Sequence, residues 1–446
     1  MSDDKLTLIF QEFSDDLLNN AVVYDHDVEA IWLGKMEILK LGKCNLQHLI
    51  PFSILLLLKN LKELEVRDSA TEVIFYIKED TLIRESTSQL KKLTLQGLPR
   101  LRDVWEKNSH RHRMFGNLQE VFISDCKNLR TLFPASLAKN LQKLEKLEIK
   151  SCHKLQEIVE QEEGTTANEQ EKFVFPRLVK LNLCHLTKLT CFYPQTFTLE
   201  CPILNSLYVS YCHKLELFQS ARPTGEGEGG GTSIIRRPVI SNLKVISNLK
   251  ELCLDWKHIL VLSFRFESEQ FKDGLKDLKH ISLSFFDTDE NEKPMLPIEM
   301  LQKAPNLTEM SMDYCGNPKI VEKDVLGTSS ILTLNDVWKH QFIEDESEED
   351  DSLLNEFCRK ILKLEVLQCP FLTTLVHSTS MVSFFCLKEV SISNCLKLEY
   401  LFTSSVAKIL MNLEKITVKG CESVKEILVK EGETTPEVCI YGTAAI

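Results

Sequence analysis

Three cysteine–histidine pairs are the residues whose types could most directly do chemistry: Cys152-His153, Cys184-His185 and Cys212-His213. Thiolate and imidazole together can ligate zinc or form a nucleophile–base couple. Adjacent residues on a strand face opposite ways, however, so one such pair chelates a single ion poorly. The sequence holds no paired CxxC, no HExxH, no GxSxG, no GxGxxG and no GxxxxGK[ST] phosphate loop. Carboxylates are abundant, yet none is singled out by spacing as a general acid–base pair. No catalytic residue, no cofactor and no metal ligand is therefore expected. The acidic block Glu344 to Asp351 could dock a basic partner surface or be a solvated loop, and Glu160-Gln161-Glu162-Glu163 reads as part of an acidic polar loop.

The cysteines make sense only against the elements that carry them. Of the 15, eight (44, 126, 152, 212, 315, 369, 395 and 421) fall in one frame, L-x-x-L-x-L-x-x-C-x-x-L. It reads Leu118, Val121, Ile123, Cys126, Leu129, then Leu144, Leu147, Ile149, Cys152, Leu155, and recurs at Leu204, Ile361, Leu387 and Leu413. Weaker copies start near Met36, Leu61, Leu90, Leu178, Leu249, Leu278 and Leu307. Leu332 and Leu334 are a degenerate copy, and Leu6 and Leu8 are read as opening the series. Side chains two apart on a strand share a face, so each L-x-L is a strand with one apolar side. One such strand cannot bury that side alone, whereas stacked copies form a parallel sheet over a continuous core.

The spacing, often 26, 28 or 29 residues between starts, is that of leucine-rich repeats. The expected fold is an α/β leucine-rich-repeat solenoid, a horseshoe of about thirteen or fourteen units of 26–29 residues. It has a parallel concave sheet, with short helices, 3₁₀ turns and loops on the convex side. Ser136-Leu137-Ala138-Lys139 reads as such a return segment. The Cys slot follows each strand, where a small thiol can pack and meet backbone groups, so these cysteines are expected to be reduced structural thiols. Residues 118–166 align without gaps to 387–435, with 23 of 49 positions identical, so a two-repeat block was duplicated. The array is expected to be one domain over 1–446, degenerate over 1–35. Loop insertions fall near 160–175, 219–247 and 341–357, and a tail follows at 430–446.

The net charge of −12 disfavours a polyanionic partner, and no Lys/Arg block offsets it, so nucleic acid is not expected. The longest apolar run, Ile54 to Leu58, falls far short of the ~20 residues a membrane span needs. The acidic start, Met1-Ser2-Asp3-Asp4-Lys5, lacks a signal-peptide pattern. A soluble cytoplasmic protein is the expectation. Its working surface should be the concave sheet, where candidates for protein contact are Phe122, Lys146, Glu148, Lys150, Tyr208, Tyr211, Asp255, Trp256, Asp313 and Tyr314. Tyr208, Tyr211, Trp256 and Tyr314 could form an aromatic ridge, since Tyr and Trp favour interface centres. The competing reading is packing between repeats or burial beneath a loop.

The block L-x-x-L-x-I-x-x-C-x-x-L-x-x-L-F, with its S-x-A-x-x-L return and LE-x-L-x-I-x-x-C-x-x-L-x-EI continuation, is distinctive at 118–160 and 387–429. It resembles the leucine-rich region of plant intracellular nucleotide-binding leucine-rich-repeat disease-resistance proteins, particularly the coiled-coil class. The resemblance covers nearly the whole chain, more loosely at 1–60 and 319–357. It implies a protein-recognition scaffold that senses pathogen effectors or modified host proteins and restrains a nucleotide-binding switch, a module this sequence does not contain. The chain could thus be a fragment or a truncated product. Two alternatives are the substrate-recognition subunit of a ubiquitin ligase and the ectodomain of a surface receptor. The first would need an F-box near the start, and the second usually carries many glycosylation sequons, of which only Asn306-Leu307-Thr308 is found.

Overall fold

The computed structural model describes residues 7–10, 33–77, 87–106, 114–160, 171–193, 197–218, 239–240, 243–255, 257–259, 261–262, 275–284, 303–313, 356, 358–369, 372–376 and 384–429. The chain divides into two compact units, Met1–Leu249 and Lys250–Ile446. Within each unit the described L-x-L motifs form strands of a parallel sheet. In the first unit these are β1 (Thr7–Phe10), β2 (Ile38–Gly42), β3 (Glu63–Arg67), β4 (Lys92–Gln96), β5 (Glu120–Ser124), β6 (Lys146–Lys150), β7 (Lys180–Cys184) and β8 (Ser206–Ser210). In the second they are β9 (Glu251–Asp255), β10 (His280–Ser284), β11 (Glu309–Asp313), β12 (Lys363–Leu367), β13 (Glu389–Ser393) and β14 (Lys415–Lys419). Both units are parallel-sheet leucine-rich-repeat solenoids with little helix.

Within each unit, neighbouring coils pair parallel and without offset, so Leu93, Val121, Leu147 and Leu181 lie in one row and Leu95, Ile123, Ile149 and Leu183 in the next. All eight are buried. This register is forced: a slip of one residue would turn every leucine outward. The loop insertions expected near 160–175, 219–247 and 341–357, like the degenerate start and the tail, fall largely or wholly outside the described residues. β11 pairs directly with β12, Met310 opposite Leu364; the degenerate copy at Leu332 and Leu334 lies outside the described residues.

The return path is built from short pieces. His48–Pro51, Val73–Tyr76 and Asp103–Trp105 form a second parallel ladder, and Phe133–Pro134 pairs with Val159–Glu160. Helices are brief: Phe52–Leu57, Ala135–Ala138 over the expected return segment, and Ser404–Ile409. Between the ladders runs a column of aromatic rings that the leucine frame does not announce. Phe75 lies 4.8 Å from Phe115, Phe115 5.8 Å from Trp105, and Trp105 5.4 Å from Phe133. A second cluster joins Phe173, Phe175, Phe192 and Tyr193. Rings at such separations add to their burial through edge and offset contacts.

Ten of the strands end in the same corner, and the residue after each of the other four lies outside the described residues. The corner residue adopts positive φ at Lys43, Asp68, Gly97, Asp125, Ser151, His185, Tyr211, Gln368, Asn394 and Gly420. That left-handed step turns the chain inward while its N–H still reaches the next coil, as from Gly97 to Ser124 O (3.0 Å) and from Asp125 to Lys150 O (3.1 Å). Then comes the cysteine slot. The Cys126, Cys152 and Cys212 thiols donate to the strand carbonyls of Ser124, Lys150 and Ser210 at 3.3–3.5 Å. One coil uses Ser69 instead, whose Oγ donates to Arg67 O and accepts from Cys44 N. At the start of several coils stands an asparagine. Asn60, Asn117, Asn306 and Asn412 donate their side-chain amides to Gly34, Ser88, Lys276 and Phe385 carbonyls of the coil before, at 2.6–2.7 Å. The N-L dipeptide was the available signal for this ladder.

The duplicated block shows what a neighbouring coil contributes. In the first copy Leu147 and Ile149 are 1% and 0% exposed; their counterparts in β14, Ile416 and Val418, are 37% and 36% exposed. The same inward-facing motif thus stands half open in the last described coil.

The corners make two opposite predictions. A left-handed φ costs a non-glycine residue about 1–2 kcal/mol, partly offset by the unfolded-state entropy of glycine. Ser151→Gly should therefore raise stability by about 0.5–1 kcal/mol. Gly97→Val should lower it by more than about 1 kcal/mol, because an added Cβ would sit 2.5 Å from Asp68 Oδ1. Urea denaturation of each variant checks both signs.

Candidate protein-binding surface

Three positions of every five-residue strand face away from the core, and in the first unit they carry a set of paired charges. The eight strands hold six cations, Lys40, Arg67, Lys92, Lys146, Lys150 and Lys180, against four carboxylates, Glu63, Glu65, Glu120 and Glu148. This face is net positive on a chain of net charge −12. In the second unit the balance inverts, with six carboxylates and three Lys on six strands.

The pairing in the first unit follows one rule. Glu65 receives Lys40 (3.0 Å) and Arg67; Glu120 receives Lys146 (2.7 Å) and Lys92 (3.9 Å); Glu148 receives Lys180 (3.0 Å) and Lys150 (3.4 Å). Every carboxylate in these clusters is shared by two cations. Partial burial opposes ionisation of Glu65, but Lys40, by hydrogen bond and charge, and Arg67 outweigh it and hold the carboxyl below its ordinary range. The hydrogen bond and charge of Glu120 raise the Lys146 ammonium. Aromatic rings join the pattern: Lys92 Nζ stands 5.5 Å from the Phe122 ring and Lys180 Nζ 5.3 Å from that of Tyr208, within cation–π range.

Several expected surface residues are placed accordingly. Phe122, Lys146, Glu148 and Lys150 lie together on β5 and β6, and Tyr208 sits at the centre of β8, half-buried. Tyr211 does not stand on the open face: it occupies the left-handed corner after β8, is 7% exposed, and stacks its ring on His185 at 4.1 Å. Asp255 closes β9 and is buried, at 3% exposure, rather than offered to a partner. Asp313 ends β11, half-buried. Trp256 and Tyr314 lie outside the described residues, so the aromatic ridge reduces to Tyr208 among the described ones.

The cysteine–histidine pairs diverge. Cys152 and Cys212 are buried while His153 is exposed and His213 half-buried. The Cys184 thiol donates to Asn182 Oδ1 at 2.8 Å and accepts from Ser210 Oγ at 3.1 Å. Among the described residues no group of three His, Cys, Asp or Glu could hold a metal ion. A hydrogen bond with Cys152 and burial both push the Cys126 thiol up, and burial pushes Cys201 and Cys395 up to about 12. Among the described residues no helix is long and apolar enough to cross a membrane.

Between the Glu65 and Glu148 clusters lies a groove of about 380 Å³, floored by Thr94, Gln96, Phe122 and Ser124. The signal for it was in the sequence, in the lysines that open and close the strands. It is lost in a reading that looks for aromatics, because ion-pair sharing depends on register across coils.

Parallel L-x-L strands over a leucine core, with a polar outer face, define a leucine-rich-repeat protein, a scaffold for protein interaction. The sequence profile of the family described as plant disease resistance protein RPS2-like, leucine-rich repeats, matches residues 8–153, 141–222 and 270–422. The chain belongs to that family. No curated protein sequence matches it. Among solved structures it is similar to the plant peptide hormone receptor RGFR1 in complex with RGF2, at 13% identity and TM-score 0.21, over 95% of this chain and 79% of that one. It is also similar to a leucine-rich-repeat protein of Leptospira interrogans, at 13% identity and TM-score 0.22, over 91% of this chain and all of the other.

Two measurements check the electrostatics and the thiols. Because its carboxyl is held low, Glu65 contributes stability that is present above the ordinary carboxylate range and lost as pH falls through its lowered value. Removing the Lys40 ammonium with Lys40→Met should move the Glu65 titration upward, read by side-chain NMR. At neutral pH an alkylating reagent should label exposed Cys386 well before Cys126 or Cys395 in the folded chain, as followed by peptide mass spectrometry.

Proposed function

We propose that this chain is the recognition scaffold of a plant immune receptor, working in the cytoplasm. Its sheet face contacts a pathogen effector or a modified host protein, and the array restrains a nucleotide-binding switch module. The observation that carries the reading is the family match along most of the chain. The ordered charge of the first unit supports it, because charged faces that pair across coils give steering and specificity to a protein interface. The side-chain amide of Asn306, the candidate glycosylation site, is already engaged with Lys276 O at 2.6 Å, which weighs against a glycosylated ectodomain.

The test is co-expression with separately encoded nucleotide-binding modules of this receptor class, scored by co-purification and by the cell-death response in leaf tissue. The expected outcome is binding to the module and a response lowered at least tenfold by Tyr208→Ala combined with Lys146→Ala. Recovery of a ubiquitin-ligase adaptor in place of the module would overturn the immune reading.

A further inference from the structure

The groove of the first unit combines three features. Its lining carries four cations, Lys40, Arg67, Lys92 and Lys150, against three carboxylates, Glu63, Glu65 and Glu148, with Thr94, Gln96, Phe122 and Ser124 between them. Its two ends carry Arg67 and Lys150, about half exposed at 53% and 48%. These two cations stand in one register row, Arg67 opposite Gln96, Gln96 opposite Ser124, Ser124 opposite Lys150. Three strand spacings separate them, about 14 Å.

Each end cation can be released to a ligand without stranding a charge. Glu65 keeps Lys40 at 3.0 Å if Arg67 turns away, and Glu148 keeps Lys180 at 3.0 Å if Lys150 does. In both pairs the cation is the more exposed partner, 53% against 19% for Arg67 and Glu65 and 48% against 14% for Lys150 and Glu148, so it can turn to a ligand carboxylate while the glutamate stays in place. We propose that this groove binds an extended acidic segment of a partner protein, lying across the strands with two carboxylates four residues apart on Arg67 and Lys150. An extended chain advances about 3.4 Å per residue, so four residues span the same ~14 Å, and side chains four apart share a face. The Gln96 amide and Ser124 hydroxyl meet the peptide backbone between them, and Phe122 offers apolar contact. This inference rests on the scaffold reading and names the chemistry of its partner.

The probe is a fluorescein-labelled peptide, Gly-Ser-Glu-Gly-Ser-Gly-Glu-Ser-Gly, titrated against the whole chain at 50 mM and 200 mM salt. Binding should weaken at the higher salt. Replacing both Glu by Gln should weaken it at least tenfold. Arg67→Ala and Lys150→Ala should each weaken it by about threefold to tenfold, Arg67→Lys should restore part of the loss, and Lys388→Ala should leave it unchanged. Circular dichroism confirms that each variant folds. Three results would overturn the inference: no binding at millimolar peptide, equal binding by the Gln peptide, or insensitivity to both alanine variants. So would single-stranded DNA binding as tightly as the peptide, which would make the face a general polyanion surface. If the peptide fails while Tyr208→Ala with Lys146→Ala still abolishes the response in leaf tissue, the groove assignment falls and the scaffold reading stands.

Discussion

Everything in this protein depends on zero offset between neighbouring coils. A parallel strand with two leucines on one side has no stable existence alone; it becomes stable when the coils before and after present their leucines at the same height. Hydrogen bonds between coils set that height, and the left-handed residue after ten of the strands preserves it, since its N–H pairs with the next coil while the chain turns away. The thiol slot and the asparagine ladder occupy the two ends of the same step. The thiol adds a second donor to carbonyls that already accept the corner N–H of the coil before, as at Ser124 and Lys150, and the asparagine amide ties its coil to a carbonyl of the preceding one.

The same constraint organises the outer face. With no offset, residues at equivalent strand positions form straight rows across the sheet, and side chains reach from coil to coil. The Glu120 carboxylate on β5 can be held from both sides, by Lys92 of one neighbour and Lys146 of the other. A register that buries leucine thereby makes charge sharing regular, and a surplus of one sign accumulates where each carboxylate has two partners.

The strand positions were almost fully legible in the sequence, because leucine spacing and strand geometry are the same fact expressed twice. The aromatic column from Phe75 to Phe133 was not legible. Its members come from return segments of differing length, so no fixed period marks them. The face was half legible. Phe122, Glu148 and Lys150 lie together as expected, but Tyr211 belongs to the corner: the residue just past a strand end is turned by its positive φ, not by the strand's alternation. Asp255, at the strand's last position, is buried although alternation points it outward.

The half-open face of β14 sets an order to the loss of structure. Among the described residues a coil inside a stack meets two neighbouring coils and β14 meets one, and within that set its opening free energy lacks one nearest-neighbour contribution. Unzipping from that end exposes, at each step, a leucine face that the remaining stack already matches. The duplicated block carries the same motif at both places, so its two copies would exchange amide hydrogens at different rates with almost the same sequence. Position in the stack, rather than composition, decides how long each copy stays closed.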